Sequence, residues 1–270
     1  MELATQPLSK SRDAYHWRLL ATALSFALFG VGGLCLRVVV FPLLALLPGD
    51  ACSHQRRARR TISRLFWTFI RLMSNAGVLT YDIQAAERLG RPGQMIIANH
   101  PSLIDVVFLI GLVRDANCVV KQSLWQNAFT RGPVRATGYV SNDGSADMLE
   151  QAAHLLQTGQ TLIIFPEGTR TQPGKAPAFH RGAAAIALRG AHVITPVTIH
   201  VSPTTLTKAE PWYRIPLRRP RFQLRVGNDI DPAAFAALGP APVASRKLND
   251  HLHQHFTKEL ATDERSAPGH

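Results

Sequence analysis

"QMIIANHPSLIDVVFL", residues 94–109, leads an apolar run into a histidine, a proline and an aspartate. Its first five residues are typical of a buried strand, and its last five are typical of the start of an apolar helix. Proline is favoured at the first position of a helix, so we predict a helix from Pro101 to about Val113 with His100 at its N-cap. Asp105 then lies just over one turn into that helix, where its carboxylate can accept a hydrogen bond from the histidine ring.

A histidine oriented by an aspartate is the arrangement of a general base, because the carboxylate fixes the tautomer and stabilises the imidazolium when it forms. The alternative is a helix-start histidine beside a solvated aspartate, and the spacing of five does not by itself separate the two. Ser102 suggests a hydrolase nucleophile, but no G-x-S-x-G elbow surrounds it, and its neighbour Pro101 favours plain capping.

Strand and helix patterns alternate along the chain on both sides of this stretch. Further strands are predicted at 117–121, 161–165, 192–200 and 221–227, and further helices at 55–76, 144–157, 181–189 and 245–260. This alternation predicts an α/β fold with a mixed, largely parallel sheet covered by helices. The Pro- and Ala-rich stretch 231–244 predicts a linker to the last helix.

A second strand end carries polar residues in "TLIIFPEGTRT", residues 161–171. In open α/β sheets ligands bind at the carboxyl ends of the strands, where His100 is also expected. Gly168 lets the backbone come close to a ligand, Arg170 is suited to a phosphate, and Glu167 is suited to a glycerol-like hydroxyl. The alternative is a tight turn with a surface salt bridge.

The amino-terminal region is strongly apolar. Residues 19–36 contain no charge, and a second apolar run, 38–48, follows Arg37. Eighteen uncharged residues just reach the length of a membrane span, and they exceed the apolar core of a typical signal peptide. Basic residues flank both ends, which favours a membrane-associated helical hairpin bent near Arg37 or Pro42, with a single span as the alternative. Either arrangement leaves the rest of the chain in the cytoplasm.

The formal charge of +12 invites a nucleic-acid interpretation. However, the basic residues adjoin the apolar block or lie in 214–225, without a nucleic-acid-binding motif, and a basic face beside an apolar insertion fits an anionic lipid surface instead. We therefore expect a membrane partner and no nucleic acid. The three cysteines form no pairing framework, so we expect no structural disulfide. Of the helical trio His251, His253 and His255, only the outer two share a face, so we expect no metal site.

"NHPSLID" (99–105) together with "FPEGTRT" (165–171) resembles blocks I and III of the glycerolipid acyltransferases, whose type member is the bacterial 1-acylglycerol-3-phosphate acyltransferase. "KQSLW" (121–125), "FHRGAA" (179–184) and "VITPVTI" (193–199) fall where that family has a donor-side loop, a basic turn and block IV. The resemblance covers residues 60–230. It implies an amino-terminal membrane-anchoring segment (1–50) and an acyltransferase domain (51–262), and we expect a disordered tail (263–270).

The resemblance also implies a mechanism. His100 would deprotonate an acceptor hydroxyl, which attacks the thioester of an acyl carrier protein or acyl-CoA, while Asp105 holds the imidazole. No cofactor is required, and the common family reaction converts 1-acyl-glycerol-3-phosphate, a lysophospholipid, to phosphatidic acid at the cytoplasmic face of the bacterial inner membrane. The residues it implies at the substrates are Asn99, Ser102, Lys121, Phe165, Pro166, Glu167, Gly168, Thr169, Arg170, Arg181 and Pro196.

Block II departs from the family pattern. It usually runs from a glycine to an arginine that contacts the acceptor phosphate, but here "TGYVSNDG" (137–144) has Asn142 and Asp143 at or beside that place. Loss of the cation weakens the argument for a phosphomonoester acceptor. Arg131 or Arg135 could compensate. The alternatives are a non-phosphate acceptor, such as an amino-acid lipid or an aryl-polyene lipid, and a non-catalytic lipid-binding protein of the same fold.

Overall fold

The computed structural model describes residues 14–127, 130–172, 175, 177–208 and 210–266, with side chains to residue 261. Its strands are β1 Thr80–Gln84, β2 Gln94–Ala98, β3 Ala116–Lys121, β4 Val140–Asn142, β5 Thr161–Ile164, β6 Val193–Ser202 and β7 Arg221–Val226. Its helices are α1 Tyr15–Cys35, α2 Phe41–Ala45, α3 Ala51–Asn75, α4 Asp105–Leu112, α5 Ser123–Gln126, α6 Arg131–Thr137, α7 Ala146–Gln157, α8 Gly182–Gly190, α9 Pro232–Ala236 and α10 Ala241–Ser266.

The strands form one sheet in the order β1-β7-β6-β2-β5-β3-β4. All neighbouring strands run parallel except β6 and β7, which are antiparallel. The predicted mixed, largely parallel sheet is therefore confirmed. Because β2, β5, β3 and β4 point the same way, the segments that follow them meet at one edge of the sheet.

Strand β2 is buried on both faces because helices cover both sides of the sheet. Ile96 and Ala98 lie in a core cluster with side chains of α3 and α4, whereas Met95 and Ile97 lie in a second cluster with α7, α8 and α10. The alternation follows from the two-residue period of a strand. An uninterrupted apolar run was therefore a sound predictor of this central strand.

The amino-terminal apolar block forms one long helical segment. Helices α1 and α2 are joined by a π-helical turn, Leu36–Val40, and the whole segment Tyr15–Ala45 is long and apolar enough to cross a membrane. The predicted bend near Arg37 or Pro42 is wrong, since the backbone stays helical through the π-helical turn and on into α2, which contains Pro42. The chain instead reverses at 46–50, and α3 begins after Asp50, whose carboxylate accepts the Ser53 N–H at 2.9 Å.

Helix α3 forms the second arm against α1, where the Phe29 ring lies 5.7 Å from that of Phe66 and 5.3 Å from that of Phe69, between centroids. Strands β1 and β4 were not predicted. The tail predicted from 263 is helical as far as Ser266, and 267–270 lie outside the described residues.

Helix α4 begins at Asp105 instead of Pro101. Two N–H groups of the predicted first turn have other partners: that of Ser102 donates to the Asp105 carboxylate at 2.6 Å, and that of Leu103 donates to the Leu206 carbonyl at 3.1 Å. These bonds hold the segment between β2 and α4 as a turn. The regular α-helical bonding starts only with the Phe108 N–H, which donates to the Ile104 carbonyl at 3.0 Å.

Candidate active site

The turn between β2 and α4, residues 99–105, is called the catalytic turn below. It places His100 Nδ1 3.0 Å from Asp105 Oδ2, with the histidine side chain 17% exposed and the aspartate fully buried. Burial raises the pKa of Asp105, and the hydrogen bond to His100 acts in the opposite direction. With Nδ1 directed to the carboxylate, Nε2 is the ring nitrogen left to take a proton from a substrate.

Asp105 also organises the turn itself. The same Oδ2 atom accepts the Ser102 N–H, so one carboxylate oxygen holds both the histidine ring and the backbone before it. Within the described part of the chain, Ser102 Oγ and Asp105 Oδ1 are buried without a hydrogen-bond partner. The histidine and the aspartate are therefore brought together by a turn and not by neighbouring positions on one helix.

The segment after β5 holds His100 from the other side. Glu167 Oε1 accepts the His100 N–H at 2.9 Å, and the Thr171 N–H donates to the His100 carbonyl at 2.9 Å. The Phe165 ring lies against the imidazole, with the centroids 4.4 Å apart and the planes 30° from parallel. Both backbone groups and one ring face of His100 are thus fixed by a single neighbouring segment.

Glu167 is 4% exposed, and burial raises the pKa of its carboxyl to about 7, while the hydrogen bond from the His100 backbone lowers it. The sequence suggested that this carboxylate accepts from an acceptor hydroxyl. In the structure Oε1 is occupied by the His100 backbone, and Oε2 is buried without a hydrogen-bond partner among the described residues. The sequence did not reveal this clamp on the histidine backbone.

Arg170 ties the same segment to the loop after β6. Its Nη1 donates to the carbonyls of Leu206 at 2.8 Å and Thr207 at 2.9 Å. That loop also receives the Leu103 N–H of the catalytic turn. Nothing in the local sequence around Leu206 identified it as a support of the site, because backbone carbonyls carry no residue-specific pattern.

A polar rim lies beside this centre, formed by Lys121, Asn142 and His180, all exposed. Lys121 and Asn142 pair at the carboxyl ends of β3 and β4. Gly168 adopts φ +64°, and a Cβ atom there would lie 3.6 Å from His180 Cδ2 and 3.8 Å from Asn142 Nδ2. A glycine therefore separates the two rim side chains without filling the space between them.

The other residues implied at the substrates differ in exposure: two are exposed and two are buried. Thr169 is exposed on the turn after β5, and Arg181 is exposed before α8. Pro166 is buried, and its carbonyl accepts the His180 N–H at 2.9 Å. Asn99 is also buried, and its side chain exchanges hydrogen bonds of 2.8 and 2.7 Å with the backbone of Ile199 on β6.

Pro196 lies inside β6, opposite Ile97, so the structure does not bring it to His100. Of the two arginines that could replace the block II cation, Arg135 lines a groove of about 330 Å³ with Trp125 and Ser141, beside the ends of β3 and β4. No group of three metal-ligating side chains suited to a metal ion occurs among the described residues.

The geometry supplies a histidine with an oriented ring that is suited to act as a general base, a backbone clamp and an exposed polar rim. A model of the family described as Acyltransferase matches residues 81–200, which span the catalytic turn, the β5 segment and the rim. A 1-acyl-sn-glycerol-3-phosphate acyltransferase of Pseudomonas aeruginosa is 25% identical over 189 residues, 68% of this chain and 70% of that protein.

A second relative, a 1-acyl-sn-glycerol-3-phosphate acyltransferase of Chlamydomonas reinhardtii, is 24% identical over 206 residues; these make up 73% of this chain but only 61% of the algal protein. The fold matches the crystal structure of the 1-acyl-sn-glycerophosphate acyltransferase of Thermotoga maritima, with a TM-score of 0.72 at 19% identity, covering 94% of this chain and 98% of that one. Residues 81–200 therefore match the Acyltransferase family, and the chain as a whole is similar to 1-acyl-sn-glycerol-3-phosphate O-acyltransferases.

Proposed function

We propose that the protein transfers a fatty acyl group from the thioester of an acyl carrier protein or acyl-CoA to the hydroxyl of 1-acyl-glycerol-3-phosphate, giving phosphatidic acid. The observation that carries the proposal is the pair His100 and Asp105, 3.0 Å apart, with the aspartate buried and the histidine backbone held by Glu167. The names of the relatives support this acceptor.

The proposed reaction follows from the orientation of the histidine. Because Asp105 faces Nδ1, Nε2 takes the proton of the acceptor hydroxyl while its oxygen attacks the thioester carbonyl. The new C–O bond forms, the C–S bond breaks, and the imidazolium returns the proton to the leaving thiolate. Asp105 stabilises the imidazolium between these steps. The proposed reaction requires no covalent enzyme intermediate, metal or cofactor.

The acceptor head group is assigned to the turn after β5 and to the rim. Gly168 leaves space for a ligand beside Asn142 and His180, and Thr169 and Arg181 are exposed nearby in sequence. Arg170 lies close enough to Asp105 to lower its pKa, which supports a place for Arg170 beside the reacting atoms. Lys121, at the end of β3, is assigned to the donor side.

A second acceptor class is favoured by one observation. Asn142 lies beside Gly168 and stands at or near the place where the family has a phosphate-contacting arginine. A neutral amide can hydrogen-bond a hydroxyl or an amide, but it supplies no positive charge for a phosphate. An acceptor without a phosphomonoester, such as an amino-acid lipid or an aryl-polyene lipid, is therefore the alternative substrate.

The proposed location is the cytoplasmic face of the bacterial inner membrane. The segment Tyr15–Ala45 has the length and composition of a membrane helix, and only 6% of its most apolar window is buried inside the protein. Residues 1–50 would anchor the acyltransferase domain, 51–262. The arginines at the start of α3 would then lie at the lipid headgroups, on the side where positive residues accumulate.

Lipid mass spectrometry tests the proposal. Membranes carrying the wild type or His100→Ala are supplied with lysophosphatidic acid and either acyl-carrier protein or acyl-CoA thioester. Phosphatidic acid formed by the wild type alone supports the reaction, and the better donor is read directly. If the folded wild type forms none, the phosphate acceptor is contradicted; if the variant equals the wild type, catalysis by His100 is contradicted and a lipid-binding protein is favoured.

A further inference from the structure

The loop between β6 and β7, residues 203–220, exposes three large side chains within the short stretch 212–217. Trp212 is 41% exposed, Tyr213 57% and Leu217 58%. Tryptophan and tyrosine are enriched where an apolar phase meets water, because each combines an apolar ring with a polar atom. We call these three residues the loop tip.

The loop is fixed to the apolar helix α1. Arg18 is 2% exposed, and its Nη2 donates to the carbonyls of Pro216 at 2.9 Å and Leu217 at 2.6 Å. The rings of Phe26 and Trp212 lie 5.8 Å apart. The loop tip is thus held against the helix that exposes Trp17, Leu20, Leu24, Leu28 and Val31.

The charge around the loop tip is positive. Arg214 and Arg218 are exposed within the same segment, and the acidic residue in 203–220, Glu210, accepts hydrogen bonds from Thr207. An apolar tip between arginines matches the interface of an anionic bilayer, where the aromatic rings lie at the headgroup level and the arginines contact lipid phosphates.

We propose that the loop tip is a second bilayer contact of this protein, which enters the interface of an anionic phospholipid membrane beside α1. This inference rests on the membrane-associated enzyme proposed above. The same loop receives the Leu103 N–H and the Arg170 guanidinium through the Leu206 carbonyl. The segment that touches the lipid is therefore the segment that supports the catalytic turn, which brings a bilayer-borne acceptor close to His100.

A fluorescent probe on the loop tip tests the contact directly. Tyr213→Cys, in a background of Cys35→Ser and Cys52→Ser, carries an environment-sensitive label, while the remaining Cys118 is buried. The matched control is Leu238→Cys, since Leu238 is 48% exposed and follows α9, which packs with α8 and α10. Vesicles contain phosphatidylglycerol and phosphatidylcholine, with doxyl-labelled lipid as a quencher.

We expect the label at 213 to shift to shorter wavelength and to be quenched on vesicle binding, and the label at 238 to keep its emission in water. A protein that is fully bound to vesicles, with the label at 213 unchanged, overturns the proposal. Equal quenching at 213 and 238 overturns it as well, because the contact would then not be specific to the loop.

The charge is tested separately. Arg214→Gln with Arg218→Gln is compared with Arg246→Gln and Lys247→Gln, a control pair exposed on α10. We expect the loop pair to weaken binding to phosphatidylglycerol vesicles about fivefold for each arginine, and the control pair to have little effect. Unchanged vesicle binding with a raised KM for acyl carrier protein would overturn the proposal and assign the surface to that acidic donor.

Synthesis of phosphatidic acid in detergent micelles separates this inference from the proposed function. The loop variants should keep the wild-type rate in micelles and lose activity only on bilayers. If the wild type makes no phosphatidic acid in micelles but the label at 213 enters the bilayer, the loop contact stands and the acceptor assignment fails. Equal activity losses in micelles and on bilayers would show that the loop acts by supporting the fold, which overturns the proposal.

Discussion

The catalytic turn and the rim lie at the same edge of the sheet, but they are held very differently. His100 is fixed through its ring, its N–H and its carbonyl, and its partner Asp105 is fully buried. The rim side chains Lys121, Asn142 and His180 are exposed. Under the proposed function, the reacting pair is preorganised in the core, whereas the acceptor is selected by exposed side chains that can change without disturbing the fold.

The largest effect is expected at the catalytic turn. His100→Ala should lower kcat about 100- to 10,000-fold, because a general base contributes about that much. The measurement is initial-rate kinetics with matched protein amounts, and thermal unfolding checks the fold. His154→Ala, on the exposed side of α7, is the control. A folded His100→Ala variant with wild-type turnover would contradict the mechanism.

Asp105→Asn should lower kcat about 100-fold without unfolding the protein, since the amide keeps the shape of the carboxylate but not the charge that stabilises the imidazolium. Burial raises the pKa of Asp105, so a neutral amide is tolerated at this site. The pH profile of kcat distinguishes a role through the histidine from a purely structural one. The matched control is Asp147→Asn, exposed in the first turn of α7. Identical profiles for wild type and Asp105→Asn would leave Asp105 as a structural residue.

The pKa of Glu167 can be tested through the pH dependence of protein stability. Its carboxyl titrates near 4.5 when unfolded and at about 7 when folded, so the folded state holds the proton more tightly. The contribution of Glu167 to the free energy of unfolding is therefore present in full below pH 4.5, and it is lost as the pH rises to 7. Glu167→Gln does not titrate, and its amide oxygen can still accept the His100 N–H.

We therefore expect the free energy of unfolding of Glu167→Gln, relative to the wild type, to rise by about 3 kcal/mol between pH 4.5 and 7.5. Urea unfolding in detergent at several pH values measures it. Glu150→Gln, whose side chain is 68% exposed on α7, provides the control. A difference that does not vary with pH would contradict the raised pKa of Glu167.

The smallest effect is expected at the rim. Asn142→Arg should lower KM for lysophosphatidic acid about three- to tenfold with kcat unchanged, because a guanidinium beside Gly168 adds a charge-assisted hydrogen bond to the phosphate. Asn142→Gln keeps the amide and serves as the control. If Asn142→Arg and Asn142→Gln have the same KM for lysophosphatidic acid, the acceptor phosphate does not approach this part of the rim.

The elements that sequence patterns predicted well are those whose burial is uniform. Strand β2, between two helical layers, has apolar residues at every position after Gln94 and was predicted at its observed bounds. Strand β4 has three residues at the edge of the sheet, and β1 alternates without a strong apolar run, so neither gave a clear pattern. Strand β4 depends on pairing with β3, and β1 depends on pairing with β7. These partners lie outside the local stretch of sequence from which a strand is predicted.

The residues of the candidate site follow the same division. The adjacency of His100 and Asp105 was predicted from short-range spacing, although the helix start at Pro101 was wrong because hydrogen bonds from Ser102 and Leu103 hold a turn instead. The contacts of Glu167 and Phe165 with His100 were not predicted. They connect segments 65 or more residues apart, and only the parallel neighbours β2 and β5 bring those segments together.

The sequence by itself determined the fold class, the apolar amino-terminal helix and the two polar strand ends, because these depend on local periodicity and on the chemistry of short motifs. Only the tertiary structure decided that Glu167 clamps the histidine backbone, that Arg170 supports the loop after β6, and that Pro196 lies in the interior of the sheet. Those features arise from strand order and register, which bring distant backbone groups together and leave no local pattern in the residues that they join.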